Sequence, residues 1–516
     1  VATKLPDNLA TFSVGALARA TGGRLVAGDP DEVVRGVVSD SRRAAPGTCF
    51  VALAGERFDG HAFVSEVLAA GARAVLVARG RASVALGARL EGPPPAVIEV
   101  DDTLRALGDL GRAARVAWGG RVVGVAGSAG KTTTTQAIAA VLRALLGERA
   151  VHATSGNLNN RVGVPHVLLA LEPHHELAVI ELGTNAPGEV GELARVAAPS
   201  LGVLTLVGVE HAEGLGDLDA IEAEEAALYA ALGPGDVALG NGDDERVARR
   251  LAGASAGMKL SYGLGEAGQG RRSLTARVLG DSGLVGTRLS LSLSLEPLGA
   301  NAPPTELGEL DVALPGRAGI YAALAAVATA TAALGAPPRL DVVSAALRHA
   351  QALQEGRLVV RERATGGLVI DDSYNANPPS MLASIELARR VAERARRPLV
   401  LVLGEMRELG ALAPAEHDAL GHAAADAAPA LVVGVAGDAA RTVEVARARG
   451  VEALFAETSA EAAPLVAARA GDAVVLVKGS RGVRTEVVVR ALGPFAAAPD
   501  APHEEGSRPA PQRDGA

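Results

Sequence analysis

The sequence predicts an α/β protein of three domains built mostly on parallel sheets, and three observations predict it. Apolar strand-like runs alternate with amphipathic helices along nearly the whole chain. The stretch "VVGVAGSAGKTTTT" (122–135) carries such a strand through glycines into a lysine and a helix start. Two proline-marked breaks, "EGPPPAVIEVDD" and "LGAPPRLD", divide the chain near residues 100 and 336. With 516 residues, 48% of them apolar, the chain has material for several buried cores.

Taken in order, residues 1–100 contain short elements and form the first expected domain. Residues 101–336 open with the charged helix "DDTLRALGDLGRAARV", followed by the strands "RVVGVAG", "ELAVIEL" and "LGVLTLVG". This central unit ends in "AGIYAALAAVATATAALGA" (318–336), which lacks charges over about the length of a membrane span. Alanine and threonine dominate it where a spanning helix would carry leucine and phenylalanine, so a buried helix is expected and membrane insertion is not. Residues 337–497 repeat the strand–helix rhythm with "GGLVIDD", "RPLVLVLG", "PALVVGVAG" and "DAVVLVKG", a Rossmann-like pattern. The last stretch, 498–516, is rich in proline, glycine and charge and reads as a disordered tail.

Charge and cysteine content narrow the function classes. The net charge of −9, with no basic cluster, argues against a nucleic-acid partner. The lone Cys49 cannot form an internal disulfide or a cysteine-based metal site, which fits a reducing, cytoplasmic setting. The early charges and short apolar runs of the N-terminal region do not read as a signal peptide.

A phosphate loop needs backbone N–H groups converging on oxygens, glycines that permit close approach, and a helix N-terminus behind them. Gly127, Ser128, Ala129 and Gly130 fit that need, Lys131 would meet the β- and γ-phosphates, and Thr132, followed by Thr133, would offer its hydroxyl to magnesium. The spacing departs in one place from the usual motif, whose first glycine falls on Val125; the glycine here is Gly124. Two strand ends supply acids of the kind that hold a metal in such sites: Glu181 after "LAVI", and Asp371 with Asp372 after "GLVI".

Six further strings occur in order with "GSAGKTTT": "SDSRRAAPGTCFVALAGERFDGHAF" (39–63), "SGNLNNRVGVP" (155–165), "VIELGTNAPGE" (179–189), "DDSYNANPPSM" (371–381), "LGEMRELG" (403–410) and "VLVKGSRGVR" (475–484). With these the sequence resembles the Mur ligases over about residues 10–495. The resemblance implies a UDP-sugar-binding first domain, a central ATP-binding domain and a Rossmann-like third domain that closes over the site. It further implies an ATP- and Mg2+-dependent amide ligase joining D-alanyl-D-alanine to a UDP-N-acetylmuramoyl-tripeptide through an acyl phosphate, and a monomer. Carried over residue by residue, Lys131, Glu181 and His211 become catalytic, with Thr132, Glu181 and His211 around the metal. Asn157, Arg357 and Asp372 join the phosphate loop as nucleotide contacts. Ser41 and Arg42 match contacts to the uridine diphosphate. Lys478 and Arg481 would reach the tripeptide or dipeptide, and Tyr374, Asn375 and Asn377 would shape the dipeptide side. Asp59 and His61 sit on a turn where a structural role is as expected as contact, and His174–His175 read as surface.

Two departures from the family pattern stand out. Many Mur ligases carry a lysine that CO₂ carbamylates, and register places that position on Glu225. Glu225, or its neighbour Glu224, is expected to supply the carboxylate directly; the competing reading is an exposed acidic helix face. The family's "G-x-H-N-x-x-N-A-L" string, whose polar groups contact adenosine, is "GRAGIYAAL" here, leaving Ala318, Gly319 and Ala322. That loss keeps open a non-catalytic nucleotide-binding relative, while a ligase with another amino substrate is the remaining alternative.

Overall fold

The computed structural model describes residues 3–55, 58–86, 94–265, 273–281, 286–294, 304–352 and 356–496. The expected tail at 498–516 lies outside the described residues, as do the first three residues of the "EGPPPAVIEVDD" break.

Three principal sheets organise the chain, and each follows from its strands' composition. The first is five-stranded: Arg24–Ala27 pairs antiparallel with Ala96–Val100, and Ala74–Ala78, Cys49–Val51 and Val37–Val38 follow in parallel. The second has nine strands. Val151–Ala153, Leu177–Glu181, Arg121–Ala126, Leu201–Leu204, Val237–Asn241, Met258–Leu264 and Leu274–Asp281 run parallel, and Thr287–Leu293 and Thr305–Val312 complete it as an antiparallel meander. The inner strands are apolar at successive positions because helices cover both faces of a parallel sheet. In the meander, "TRLSLSL" alternates buried and partly exposed residues, as a one-sided sheet requires.

Two helices cover one face of the phosphate-loop strand Arg121–Ala126. They are Lys131–Leu146, which follows the loop, and the alanine-rich Gly316–Leu334; both bury apolar residues against Val123, Val125, Val179 and Val203. Gly316–Leu334 is long and apolar enough to cross a membrane, yet 67% of its apolar window is buried inside the molecule. Glu189–Ala197 and Leu218–Ala230 cover the opposite face.

The third sheet has the order Val359–Glu362, Leu368–Asp372, Val474–Lys478, Leu399–Gly404, Leu431–Val435, Ala453–Ala456, parallel apart from its first strand. Its strand ends face the phosphate loop, with the start of helix Pro378–Ala395 between them. Asn377 caps that helix: its side chain accepts the Ser380 N–H at 3.1 Å and its N–H returns to Ser380 Oγ. The same side chain reaches across and donates to the Ser128 carbonyl at 3.0 Å.

Candidate active site

A cleft of about 460 Å³ opens between the second and third sheets, with the phosphate loop as its floor. The loop's form follows from its glycines. Gly127 has φ +129 and lies so close to Thr205 and Leu206 that a Cβ there would sit 2.1 Å from Thr205 Oγ1. Only glycine lets the chain turn at that point. Gly130 caps helix Lys131–Leu146 without a side-chain cap, so the helix start turns its backbone toward the cleft.

Lys131 points back over the loop, with Nζ donating to the Gly127 carbonyl at 2.5 Å and to Glu210 Oε1 at 3.1 Å, and with Glu225 Oε1 at 3.9 Å. Burial alone would lower the lysine's pKa, but the charges of Glu210, Glu225 and Glu181 outweigh it and raise the pKa above its ordinary value. Lys131 is therefore fully charged at neutral pH. Burial pushes Glu210 well above the usual carboxylate range, against the pull of Lys131, and the nearby Glu225 adds to the rise. Three acids thus surround one ammonium.

Glu225 is fully buried, so the exposed-face reading of "EAEEAA" is wrong. Helix Leu218–Ala230 turns Glu222, Glu224 and Glu225 inward and gives each a separate task. Glu222 binds Arg246, Arg249 and Arg250. Glu224 accepts the N–H groups of Gly188 and Val190 at 2.6 and 2.7 Å, satisfying the start of helix Glu189–Ala197. Glu225 Oε2 accepts the Gly127 N–H at 2.6 Å, and its Oε1 is buried without a hydrogen-bond partner. Of the two expected candidates, only Glu225 touches the phosphate loop.

On the metal side, the Thr132 hydroxyl lies 3.1 Å from Glu181 Oε1. Asn159 Nδ2 donates to that same oxygen at 2.8 Å, while Asn157 accepts from Thr3 at 2.6 Å and lines the cleft two residues away. Sequence reading chose Asn157 and passed over Asn159. Among the described residues no three His, Cys, Asp or Glu side chains converge as a metal cage. A hydroxyl, a carboxylate and an orphaned buried carboxylate oxygen nevertheless suit a hard cation that keeps water and phosphate oxygens as its other ligands. His211 is shared with the third sheet's domain: Nδ1 meets Glu408 Oε2 at 2.5 Å, and Nε2 lies 3.9 Å from Glu210 Oε2. The hydrogen bond from His211 holds Glu408 below the usual carboxylate range. Glu210 and Glu408 escaped sequence reading, although "VGVEH" places an acid shortly beyond an apolar strand.

The third sheet's wall brings Arg357, Tyr374, Asn375, Asn377 and Arg481 into the cleft. Asp372 is tied on three sides: Leu358 N, Ser384 Oγ and Lys478 Nζ donate to it at 3.2, 2.6 and 2.5 Å. Lys478 is buried, and its remaining bond goes to the Asn375 carbonyl. Both residues edge the cleft, but their principal partners are each other.

The far end of the cleft is lined by Leu314, Pro315, Ala318, Gly319, Asn241 and Tyr321. Ala322 instead faces the helix core. Tyr321, unremarked within "GRAGIYAAL", donates to Asp243 Oδ2 at 2.7 Å and accepts from Arg317. Ser41 and Arg42 do not line this cleft. They form a short turn capped by Asp40, which also pairs with Arg42. His61 is buried and structural, held by Asp59 and accepting the Ala78 N–H. His174 is exposed, while His175 is half-buried against it.

Comparison with known proteins agrees with this architecture. The family description "Mur ligase family, catalytic domain" matches residues 33–115, "Mur ligase middle domain" residues 125–330, and "Mur ligase, glutamate ligase domain" residues 356–481. The UDP-N-acetylmuramoyl-tripeptide–D-alanyl-D-alanine ligase of Escherichia coli K12 is 34% identical over 467 residues, covering 90% of this chain and 94% of the relative. The crystal structure of MurF from Acinetobacter baumannii superposes with a TM-score of 0.78 at 30% identity, covering 94% of this chain and 99% of that one. MurF ligase from Thermotoga maritima in complex with ADP gives a TM-score of 0.70 at 25% identity, covering 88% and 96%. With three family domains in order and a third of its residues shared across nearly its full length, the chain belongs to the Mur ligase family.

Proposed function

We propose that the protein is an ATP-dependent ligase joining D-alanyl-D-alanine to a UDP-N-acetylmuramoyl-tripeptide, giving the pentapeptide precursor of peptidoglycan with ADP and phosphate. The observation that carries the reading is Lys131, fully charged among Glu210, Glu225 and Glu181, in a cleft whose opposite wall is the "DDSYNANPPSM" segment. The relatives that bear this activity in their names support it.

In this reading a tripeptide carboxylate oxygen attacks the γ-phosphorus and the bond to ADP breaks, leaving an acyl phosphate. The dipeptide amine then attacks the acyl carbon, loses a proton, and expels phosphate. Lys131 and the N–H groups at the start of helix Lys131–Leu146 offset the charge gathered on the transferring group. Thr132 and Glu181 would hold magnesium, with His211 and Glu225 further along the same wall. When bound, the metal neutralises the triphosphate so that a carboxylate can approach it. Asn159 orients Glu181, and Glu225 braces the loop through Gly127 while offering its second oxygen inward. We assign Glu225 the task of the carbamylated lysine, without CO₂. ATP and UDP-linked precursors are cytoplasmic pools, so the protein acts there, as a monomer, with Ser41 and Arg42 toward the uridine diphosphate.

The test is phosphate release from ATP with the UDP-tripeptide, with and without D-alanyl-D-alanine, in CO₂-depleted buffer. Release that needs both substrates and is unchanged by bicarbonate is expected. Release without either substrate overturns the ligase, and a bicarbonate requirement overturns the role of Glu225.

A further inference from the structure

The histidine on the metal side of the cleft is held from another domain. His211 follows strand Leu201–Leu204 of the second sheet, whereas Glu408 follows strand Leu399–Gly404 of the third. Glu408 Oε2 nevertheless lies 2.5 Å from His211 Nδ1. A carboxylate only accepts hydrogen bonds, so in the neutral imidazole Nδ1 carries the proton and donates it to Glu408. Nε2 then keeps its lone pair, on the side where Glu210 Oε2 lies 3.9 Å away.

Glu408 is 58% exposed, yet two features separate this pair from an ordinary surface contact. Both residues have left-handed backbone, with φ +47 at His211 and +67 at Glu408. That conformation is unfavourable for a residue other than glycine and persists only where the surroundings impose it. The surroundings here do so from both domains. The Glu213 N–H donates to the Glu408 carbonyl at 3.1 Å, and Gly410 lies so near Glu213 that a Cβ would sit 3.0 Å from its Cα. Leu409 is buried in the third domain's core, Leu412 packs on the core of the second sheet, and the Arg407 N–H donates to Ser480 Oγ at 2.9 Å. The carboxylate is therefore aimed by a backbone that is fixed on either side of it.

A histidine that ligates a metal takes its ring orientation and tautomer from the group on its other nitrogen. Resting on the metal-side reading of His211 above, we infer that Glu408 is a positioning residue, which fixes the ring and tautomer of His211 from the third domain. Thr132 and Glu181 belong to the central domain and do not need this contact, so alone they hold the cation more weakly. Full metal affinity is reached only with the third domain docked. By the reciprocity of linked equilibria, the bound cation in turn favours docking.

The experiment titrates Mn2+ calorimetrically into the full chain loaded with β,γ-methylene-ATP, with protein in excess over nucleotide. Glycine suits the backbone at Glu408, so Glu408→Gly should keep the wild-type melting temperature. Its Kd for Mn2+ should nevertheless rise by about 10- to 100-fold. Glu408→Gln can still accept the Nδ1 proton, without the charge, and should fall between the two. His211→Ala should weaken binding at least as much as Glu408→Gly. The double variant Glu408→Gly/His211→Ala should bind like His211→Ala, because Glu408 acts only through the histidine. Wild-type affinity in Glu408→Gly overturns the inference, and so does a double variant weakened by the product of the two single effects. Wild-type affinity in His211→Ala removes that histidine from the metal, and the inference falls with it. Neither peptide substrate is present, so a failed ligase assay is a separate result and leaves this one standing.

Discussion

Asn157 and Asn159 stand two positions apart in one loop and do different work, which shows what a motif string conveys and what it omits. "SGNLNN" marks the loop as belonging to the site, but the direction of each side chain depends on the turn that the backbone takes. Asn157 is engaged by Thr3 from the N-terminal segment, and Asn159 orients the Glu181 carboxylate. A group that orients a metal-binding carboxylate is worth roughly 10- to 100-fold in metal affinity. Asn159→Ala is therefore expected to raise the magnesium concentration for half-maximal rate by about that factor, and Asn157→Ala to leave it nearly unchanged; a magnesium titration of phosphate release measures both. Lys131, Thr132 and Glu181 were legible because a strand, glycines and an acid at a strand end form a local pattern. Glu210 was not, because its importance comes from Lys131, 79 residues earlier in the chain.

Among the elements, helix Gly316–Leu334 was legible as buried from its composition alone. Its small residues let it lie close against helix Lys131–Leu146, so the abundance of alanine serves packing as well as propensity. The loss of polar groups at its start was also legible, but its cause was not. Gly319 lies under the Leu314 backbone, where a Cβ would meet the carbonyl oxygen at 2.5 Å, so this chain has no room there for a side chain. Gly319→Ala must move backbone, and overpacking of this kind costs about 1–3 kcal/mol. Its melting temperature should fall by several degrees, read by circular dichroism, and an unchanged melting temperature would show that the Leu314 turn yields easily.

Across the whole molecule, sequence reading anticipated the parallel sheets but none of the contacts that join them, since those link distant residues. His166 is one such contact: fully buried in helix Gly163–Leu169, it meets Ser39 of the first sheet's domain at 2.8 Å. Burial, aided by the charge of Arg43, pushes its pKa from 6.5 down to about 4. The unfolded chain therefore takes up this proton first as pH falls. The stability tied to neutral His166 is complete above pH 6.5 and is lost as pH falls toward 4. His152, half-buried and beside His175, is shifted in the same direction. Between pH 6.5 and 5 the His166 contribution amounts to roughly 2 kcal/mol. Urea unfolding of wild type and His166→Gln across that window should show a shallower pH slope in the variant, and identical slopes would assign the acid sensitivity elsewhere.

Glu210 gives the cleft one more property. Its Oε1 faces Lys131 at 3.1 Å, while Oε2 lies 3.4 Å from Asn377 Nδ2 and 3.9 Å from His211 Nε2. In the proposed ligase, Glu210 thus occupies the seat on Lys131 that a γ-phosphate would take. Nucleotide arrival would then displace Glu210 from the lysine, while its other oxygen already rests against Asn377 of the facing domain at 3.4 Å. A carboxylate that weakens substrate affinity in this way also shortens the lifetime of the product complex, and so favours turnover over tight binding.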